Sequence, residues 1–159
     1  KKAGGANGYY VYRKTDSTSF VRIATISNAD TLSYVDKTAQ NGVKYTYAVR
    51  GYNGSYLGAY KSKAYVRLTT PKINSLTKYD RTTLRVNYTQ NTAASGYEIV
   101  YYVSKDATRV KVENPSQYIY YLRNLQYGRT HKVYVRSYKT EGSVTYYSAY
   151  ATPVSIDLR

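Results

Sequence analysis

Residues 42–52 read GVKYTYAVRGY, and residues 128–138 read GRTHKVYVRSY, so that Gly, Val, Arg and Tyr recur at the same spacing. The offset between the two stretches is 86 residues, and a second pair, GYYV at 8–11 and GYEI at 96–99, has an offset of 88. Two matching blocks in one order at nearly one separation indicate a duplicated module. We therefore predict two small domains, residues 1–69 and 70–159.

The repeated stretches alternate apolar and polar residues and are rich in Val, Thr and Tyr. This period of two is typical of β-strands with one buried face. Asn-Gly and Ser-Gly dipeptides separate the runs, and no stretch shows a sustained apolar period of 3.6 residues. The sequence predicts an all-β protein built of immunoglobulin-like β-sandwiches.

The second module carries a recognisable strand pattern, which reads INSL (73–76), LRVNY (84–88), GYEIVY (96–101), YIYYLRNL (118–125), HKVYVRSY (131–138) and Ser148-Ala149. This pattern resembles strands A, B, C, E, F and G of the fibronectin type III family, in the form common in bacterial surface proteins and secreted glycosidases. Tyr88 stands where the family usually has a Trp. His131 stands where it usually has the tyrosine-corner Tyr, a position that Tyr45 holds in the first module.

The first module is expected to be incomplete, because residues 1–8 resemble the loop between strands B and C. The remaining residues supply only strands C, C′, E, F and G, at Tyr9–Arg13, Phe20–Ile26, Thr31–Val35, Tyr45–Tyr52 and Lys63–Leu68. Half a sandwich leaves apolar side chains and a sheet edge open. Three explanations remain: upstream residues, strands donated by another chain, or an atypical module that lacks strands A and B.

Composition limits the classes of function and the compartment. The chain has no Cys, so it can form neither a disulfide framework nor a thiolate metal site. It has no Met, and we expect it to be a piece of a longer protein. No apolar run approaches the about 20 residues that span a bilayer. We expect an extracellular or cell-wall-associated protein, exported from a Gram-positive bacterium.

Catalytic chemistry has little support in the sequence. His131 is the only histidine, and the nine carboxylates form neither a calcium loop nor a local acid–base pair. His131 could sense pH, or its ring could replace the corner Tyr and bond to the backbone. We predict no catalytic residue, no cofactor and no metal site, and expect that the chain is not an enzyme.

Alternation along strands C and F predicts a polar face on each module. Tyr45, Tyr47, Val49, His131, Val133 and Val135 should point inward. The exposed face should then carry Tyr10, Tyr12, Arg50, Tyr52, Lys132, Tyr134, Arg136 and Tyr138. Interleaved rings and cations could bind a carbohydrate or a polyanion. They could equally form a solvated sheet face on which Tyr packs over cationic stems.

The formal net charge is +15 and is spread evenly, with 11 Lys/Arg and 3 Asp/Glu in residues 1–70. Such a charge favours solubility and encounter with polyanions without specifying one. We predict a non-catalytic spacer or adhesion module, joined to other domains of the same polypeptide by a short linker at 69–72. The alternative is a module that binds a cell-envelope polyanion or carbohydrate through the tyrosine- and cation-rich face; no specific nucleic acid is expected.

Overall fold

A computed structural model describes all residues, 1–159. The chain contains thirteen β-strands and no helix, so the predicted all-β fold is confirmed. It divides into two compact units, unit 1 (Lys1–Arg67) and unit 2 (Leu68–Arg159). Every strand pair is antiparallel, which agrees with the alternating pattern of the sequence.

Unit 1 is a single five-stranded sheet. Its strands are β1 (Gly8–Lys14), β2 (Val21–Ile26), β3 (Lys44–Asn53), β4 (Tyr56–Leu57) and β5 (Lys61–Val66). The order is β2-β1-β3, and both β4 and β5 pair with the other edge of β3. Val11 lies opposite Val49, which places the two apolar residues on the same side of the sheet.

Unit 2 has two sheets. The strands are β6 (Ile73–Asp80), β7 (Thr83–Tyr88), β8 (Gly96–Val103), β9 (Asp106–Val112), β10 (Ile119–Leu122), β11 (Arg129–Glu141), β12 (Val144–Tyr147) and β13 (Val154–Leu158). One sheet has the order β10-β7-β6, and the other has β12-β11-β8-β9 with β13 also paired to β11. Strands β4, β12 and β13 were not predicted from the alternation.

The core of unit 2 lies between its two sheets. Leu84 and Val86 from β7 are fully buried, as are Ile99 from β8 and Val135 from β11. Full burial of an aliphatic side chain contributes about 1.5–3 kcal/mol relative to exposure. This shared apolar layer makes unit 2 a closed sandwich.

Unit 1 has no second sheet over its inner face. Val49 is 37% exposed, whereas Val135, its counterpart at the 86-residue offset, is 0% exposed. The prediction of strand E at Thr31–Val35 was wrong, because that segment contains no strand. In unit 2 the corresponding strand, β10, pairs with β7 alone, and unit 1 contains no equivalent of β7. An isolated segment without a ladder partner cannot form a stable strand.

The segment 69–72 is hydrogen-bonded into unit 2. The Thr69 carbonyl accepts hydrogen bonds from Ser137 Oγ at 2.9 Å and from Asn91 Nδ2 at 3.2 Å. Lys72 and Thr89 exchange two further bonds of 2.8 and 2.9 Å. The structure therefore holds in place a segment that we expected to be a linker.

Gly8 and Gly96, which begin β1 and β8, occupy equivalent positions where no side chain fits. A Cβ at Gly8 would lie 2.1 Å from the Ile26 carbonyl oxygen and 2.7 Å from Tyr52 Oη. At Gly96 it would lie 2.0 Å from the Val112 carbonyl oxygen and 2.9 Å from Tyr138 Oη. In each unit a tyrosine ring from the central strand, Tyr52 or Tyr138, packs directly over the glycine, so this Gly and this Tyr recur together in both repeats.

We predict that Gly8→Ala destabilises unit 1 by about 1–3 kcal/mol, because the new methyl group must displace backbone or the Tyr52 ring. Hydrogen exchange of the β1 and β3 amides measures the loss. Gly4→Ala is the matched control, since nothing lies within 4 Å of the methyl group it would add. Equal exchange rates in the two variants would contradict the close packing at Gly8.

Candidate functional site

The outer face of unit 2 centres on Arg136 of β11. Its guanidinium carbon lies 3.8 Å from the ring centroid of Tyr147 and 4.4 Å from that of Tyr150. These distances are well within the range of cation–π attraction. One face of each ring is therefore occupied by a cation of the protein itself, while Tyr147 remains 38% exposed.

Glu98 of β8 neutralises Arg136 and orders its neighbours. Its Oε1 accepts hydrogen bonds from Arg136 Nε at 2.8 Å and from Tyr150 Oη at 2.6 Å, and Arg109 Nη1 lies 3.5 Å away. Glu98 and Arg136 face each other across the β8–β11 ladder. Burial of the Tyr150 phenol, together with its bond to Glu98, raises the pKa of Tyr150. The cluster is a mostly buried ion pair lined with aromatic rings.

Tyr134 and Lys132 continue the same face. The Tyr134 ring makes edge contacts with Tyr102 at 5.6 Å and Tyr150 at 5.8 Å between centroids. The Lys132 ammonium lies 5.5 Å from the Tyr134 ring centre. Lys132 is exposed and Tyr134 is half-buried.

Tyr138 is not exposed, contrary to the prediction. It points to the same side of β11 as Arg136, but only 2% of it is accessible. Its ring covers the bare backbone of Gly96, and the Lys111 ammonium lies 4.8 Å from the ring centre. Alternation predicts which side of the sheet a residue faces. It carries no information on whether side chains of neighbouring strands cover the residue on that side.

The outer face of unit 1 has the same construction. Tyr10 stacks on Tyr52 with 4.5 Å between centroids and 15° between planes. The Tyr12 and Tyr60 rings make an edge contact at 5.3 Å between centroids, and the Arg50 guanidinium lies against both, at 5.2 Å from Tyr12 and 4.5 Å from Tyr60. Arg50 Nη2 also donates a 2.9 Å hydrogen bond to Tyr12 Oη. The arginine occupies ring faces here just as it does in unit 2.

The structure thus assembles the eight candidate residues as two separate groups, one in each unit. Tyr10, Tyr12, Arg50 and Tyr52 lie in unit 1, and Lys132, Tyr134, Arg136 and Tyr138 lie in unit 2. The sequence indicates Glu98 as an outward residue salt-bridged to cations, which is confirmed. Sequence reasoning missed the other partners, which are Arg22, Tyr60, Tyr102, Tyr147 and Tyr150. The signal that could have found Tyr147 and Tyr150 is the tyrosine-dense stretch after Gly142.

His131 takes the place of a corner tyrosine. It is fully buried, and its Nε2 lies 3.0 Å from the Gln126 carbonyl oxygen, to which it donates. In unit 1 the Tyr45 hydroxyl accepts a 3.3 Å bond from the backbone N–H of Gln40, at the same offset. His131 therefore anchors a loop to the backbone, as one of its two predicted roles requires.

The acidic and histidine side chains do not form a metal-binding group. The structure contains no cluster of three or more His, Cys, Asp or Glu side chains that could hold a metal ion. It also contains no helix that could span a bilayer. The structure has two concave features, a pocket of about 390 Å³ in unit 2 between Tyr101, Tyr120 and Arg123, and a larger cleft in unit 1.

We use "inner cleft" for the open space of about 1120 Å³ over the inner face of unit 1. Apolar side chains from the sheet and from the loop between β2 and β3 line most of it; they include Tyr9, Val11, Ile26, Leu32, Tyr34, Val35, Val49 and Leu57. Leu32, Val35 and Leu57 of this lining are exposed to water.

Asp36 fastens the loop between β2 and β3 to the sheet inside the cleft. Its Oδ2 accepts hydrogen bonds from Arg13 Nη1 at 2.6 Å and Tyr47 Oη at 2.9 Å, and its Oδ1 accepts two from Thr38. Burial alone would raise the pKa of Asp36, but these donors outweigh it and lower the pKa well below its ordinary value. Burial and the bond to Asp36 raise the pKa of Tyr47 to about 12.

One solved structure with a similar fold supports this architecture. A two-domain fibronectin type III segment of chicken tenascin is 18% identical, with a TM-score of 0.51, and the match covers 94% of this chain and 82% of that one. This protein has a tandem fibronectin type III-like fold. The FN1–FN3 domains of chicken CNTN1 are 22% identical with a TM-score of 0.45, and the match covers 96% of this chain.

The fibronectin type III-like chain spans 54% of the length of the CNTN1 structure. A third structure, titled as a myokine, is 14% identical with a TM-score of 0.47; the match covers 56% of this chain and 95% of that one. No protein-family model matches the chain, and no curated protein matches it. At these identities the likeness extends to the fold alone.

We predict that Arg136→Ala destabilises unit 2 by about 1–3 kcal/mol, because it leaves the mostly buried Glu98 carboxylate short of its main donor. Arg109→Ala is the matched control, since Arg109 contacts the same oxygen but is 60% exposed, against 21% for Arg136. Its cost should stay below about 0.5 kcal/mol. Urea unfolding measures both, and equal costs would contradict the central position of Arg136.

We predict that the stability of unit 1 falls as the pH is lowered from about 4 through the folded pKa of Asp36. The folded pKa is depressed, so this stability is present above the unfolded pKa and is lost on protonation. Asp36→Asn should lower the free energy of unfolding of unit 1 by about 1–3 kcal/mol at neutral pH. In this variant the free energy of unfolding should also fall less steeply at acid pH. Urea titrations followed by NMR of the β3 amides test this. The control is Asp16→Asn, which removes an exposed carboxylate, and in this variant the stability of unit 1 should still fall at acid pH.

Proposed function

We propose that this chain is a non-catalytic structural or adhesion module of a larger, exported bacterial surface protein, in which it acts as a spacer between other domains. The observation that carries the proposal is the internal use of the aromatic faces. The Arg136 guanidinium packs on the rings of Tyr147 and Tyr150, and that of Arg50 packs against the contacting rings of Tyr12 and Tyr60, so the centre of each outer face is already packed. A face built this way stabilises its own sheet.

A sheet exposed to water on its outer side benefits from this packing. Cross-strand aromatic and cation–π pairs contribute roughly 0.2–1 kcal/mol each. They hold the central strand against its neighbours without adding apolar surface that would aggregate. Such a module suits a protein that must remain folded and soluble outside the cell while it carries other domains.

Polyanion binding is the second candidate, and one observation favours it. The chain has 24 Lys/Arg against nine Asp/Glu, so most cations have no carboxylate of their own. Lys132 on the outer face is exposed. Stacking of a carbohydrate is the weaker form of the hypothesis, because it requires free ring faces at the centre of the patch.

The two candidates predict different binding isotherms. A spacer should bind neither inorganic polyphosphate, used as a model polyanion, nor an oligomer of N-acetylglucosamine, at low or high ionic strength. Electrostatic capture should instead appear as polyphosphate affinity that falls steeply with salt. Isothermal titration calorimetry on the intact chain measures both ligands.

Two matched variants locate any binding that is seen. Lys132→Gln removes an exposed cation from the outer face of unit 2, and Lys105→Gln removes one from the turn between β8 and β9. Polyphosphate affinity that is reduced by Lys132→Gln alone would refute the spacer proposal in favour of a binding face. Salt-sensitive affinity that is equally reduced by both variants would indicate only the diffuse net charge. Saturable binding of the sugar oligomer would also overturn the spacer proposal.

A further inference from the structure

Tyr79 of β6 and Tyr121 of β10 form a ring pair on the outer side of the sheet β10-β7-β6, which carries none of the eight candidate residues. The ring centroids lie 4.8 Å apart, with 73° between the ring planes. The two strands do not pair with each other, because β7 lies between them. Since backbones two strands apart are separated by about 10 Å, the two rings meet above the central strand and connect the two edges of the sheet.

A bulge in β6 gives Tyr79 this position. Lys78 pairs with Leu84 and Asp80 pairs with Thr83, so Tyr79 is an extra residue with no partner on β7. A bulge re-aims a side chain away from the regular alternation of the strand. Tyr79 is also 61% exposed. Its ring is therefore free to rotate against that of Tyr121 and accessible to reagents in the solvent.

The contact between these rings does not use their hydroxyl groups. Neither hydroxyl forms a hydrogen bond within the protein, whereas those of Tyr12 and Tyr150 bond to Arg50 and Glu98. Phenylalanine would supply the same ring contact. A phenol differs from a phenyl ring in its chemistry, because it can lose one electron and one proton to an oxidant, and two phenoxyl radicals in contact couple.

Two other close tyrosine pairs are less suited to this coupling. Tyr88 and Tyr97 lie 4.7 Å apart, but both are fully buried and closed to an oxidant. Tyr10 and Tyr52 stack with 15° between their planes. Such a stack places one ring face on the other, whereas the new bond joins ring edges.

Tyr12 and Tyr60 form a further pair with an exposed ring, at a longer distance of 5.3 Å. The Arg50 guanidinium packs against both rings and bonds to the Tyr12 hydroxyl. This arginine restrains the rings and occupies the oxygen that must lose its proton. Tyr79 and Tyr121 are therefore the closest pair that combines an exposed ring with unbonded hydroxyl groups.

We propose that Tyr79 and Tyr121 are an oxidative cross-linking site, at which a haem peroxidase and hydrogen peroxide join the two rings as dityrosine. Each phenol loses one electron and one proton. The two radicals then form one carbon–carbon bond between their Cε atoms, and the hydrogens of these carbons pass to the oxygens, which restores both phenols. One peroxide accepts the two electrons and two protons and leaves as two water molecules.

The cross-link secures the first strand of unit 2. Strand β6 is an edge strand that pairs with β7 alone. Tension along the polypeptide enters unit 2 at this strand, a consequence that rests on the proposed spacer function. The new bond closes a covalent loop that contains β7, β8 and β9. It ties β6 to the opposite edge of its sheet and restricts the unfolded chain.

Oxidation of the intact chain at low concentration with a haem peroxidase and hydrogen peroxide tests the proposal. The product should remain monomeric, show the blue fluorescence of a biphenol, and weigh two hydrogens less than the untreated chain. After denaturation, trypsin separates residues 79–81 from residues 112–123 in the untreated chain. In the product these two peptides should be joined, and their fragmentation in the mass spectrometer should place the bond between Tyr79 and Tyr121.

Tyr79→Phe should abolish the joined peptide, because phenylalanine has no phenolic proton to lose. The matched control is Tyr118→Phe, since Tyr118 is 48% exposed and lies in the same tryptic peptide as Tyr121. This control should give an undiminished yield of the joined peptide. Absence of the cross-link, an equal yield in Tyr79→Phe, or bonds formed only between chains or through other tyrosines would overturn the proposal.

Hydrogen exchange of the purified product tests the consequence for β6. The β6 amides should exchange roughly 10-fold more slowly than those of Tyr79→Phe treated in the same way, because a tethered strand opens less often. Equal rates would overturn the claim that the bond secures this strand. Polyphosphate binding by the chain bears on the spacer function and leaves the position of the cross-link unchanged, so the two proposals fail on different results.

Discussion

An antiparallel sheet with one apolar face is stable only when something covers that face, and this constraint governs both units of the protein. In unit 2 the sheet β10-β7-β6 covers Val135 completely, and the resulting core holds the sandwich together. In unit 1 the same position, Val49, borders an open cleft. The segment 32–36 lacks a strand for the same reason, since the cover also supplies its hydrogen-bond partner. The exposed floor and the segment without a strand in unit 1 thus share one cause, the lack of a second sheet over this face.

The outer faces follow a different physical rule. These faces border water, and on each of them an arginine guanidinium packs against two tyrosine rings and donates a hydrogen bond to a neighbouring side chain. Arg136 with Glu98, and Arg50 with Tyr12, show the two versions of this arrangement. Tyrosine suits it better than phenylalanine, because the hydroxyl groups of Tyr12 and Tyr150 take part in the bonding. The abundance of tyrosine in the sequence is therefore a consequence of how these wet faces are stabilised.

Several features could be predicted from the sequence because they depend on local periodicity. The strands around Tyr47 and Val133 and their inward and outward sides follow from a period of two. Tyr138 was misjudged because its burial depends on Lys111 and on neighbouring strands, which no local pattern encodes. The strand expected at Thr31–Val35 failed because strand formation needs a partner as well as a suitable composition.

The sequence by itself determined that this protein is all-β, that it repeats a module, and which residues face inward, since all three depend on alternation and spacing along one chain. Only the tertiary structure decided which of those faces is covered. Val49 and Val135 have the same sequence context and opposite exposures, because burial depends on whether another sheet lies across them. The pairing of Arg136 with Glu98, Tyr147 and Tyr150 was likewise decided by strand register, which brings residues distant in the chain to within bonding distance.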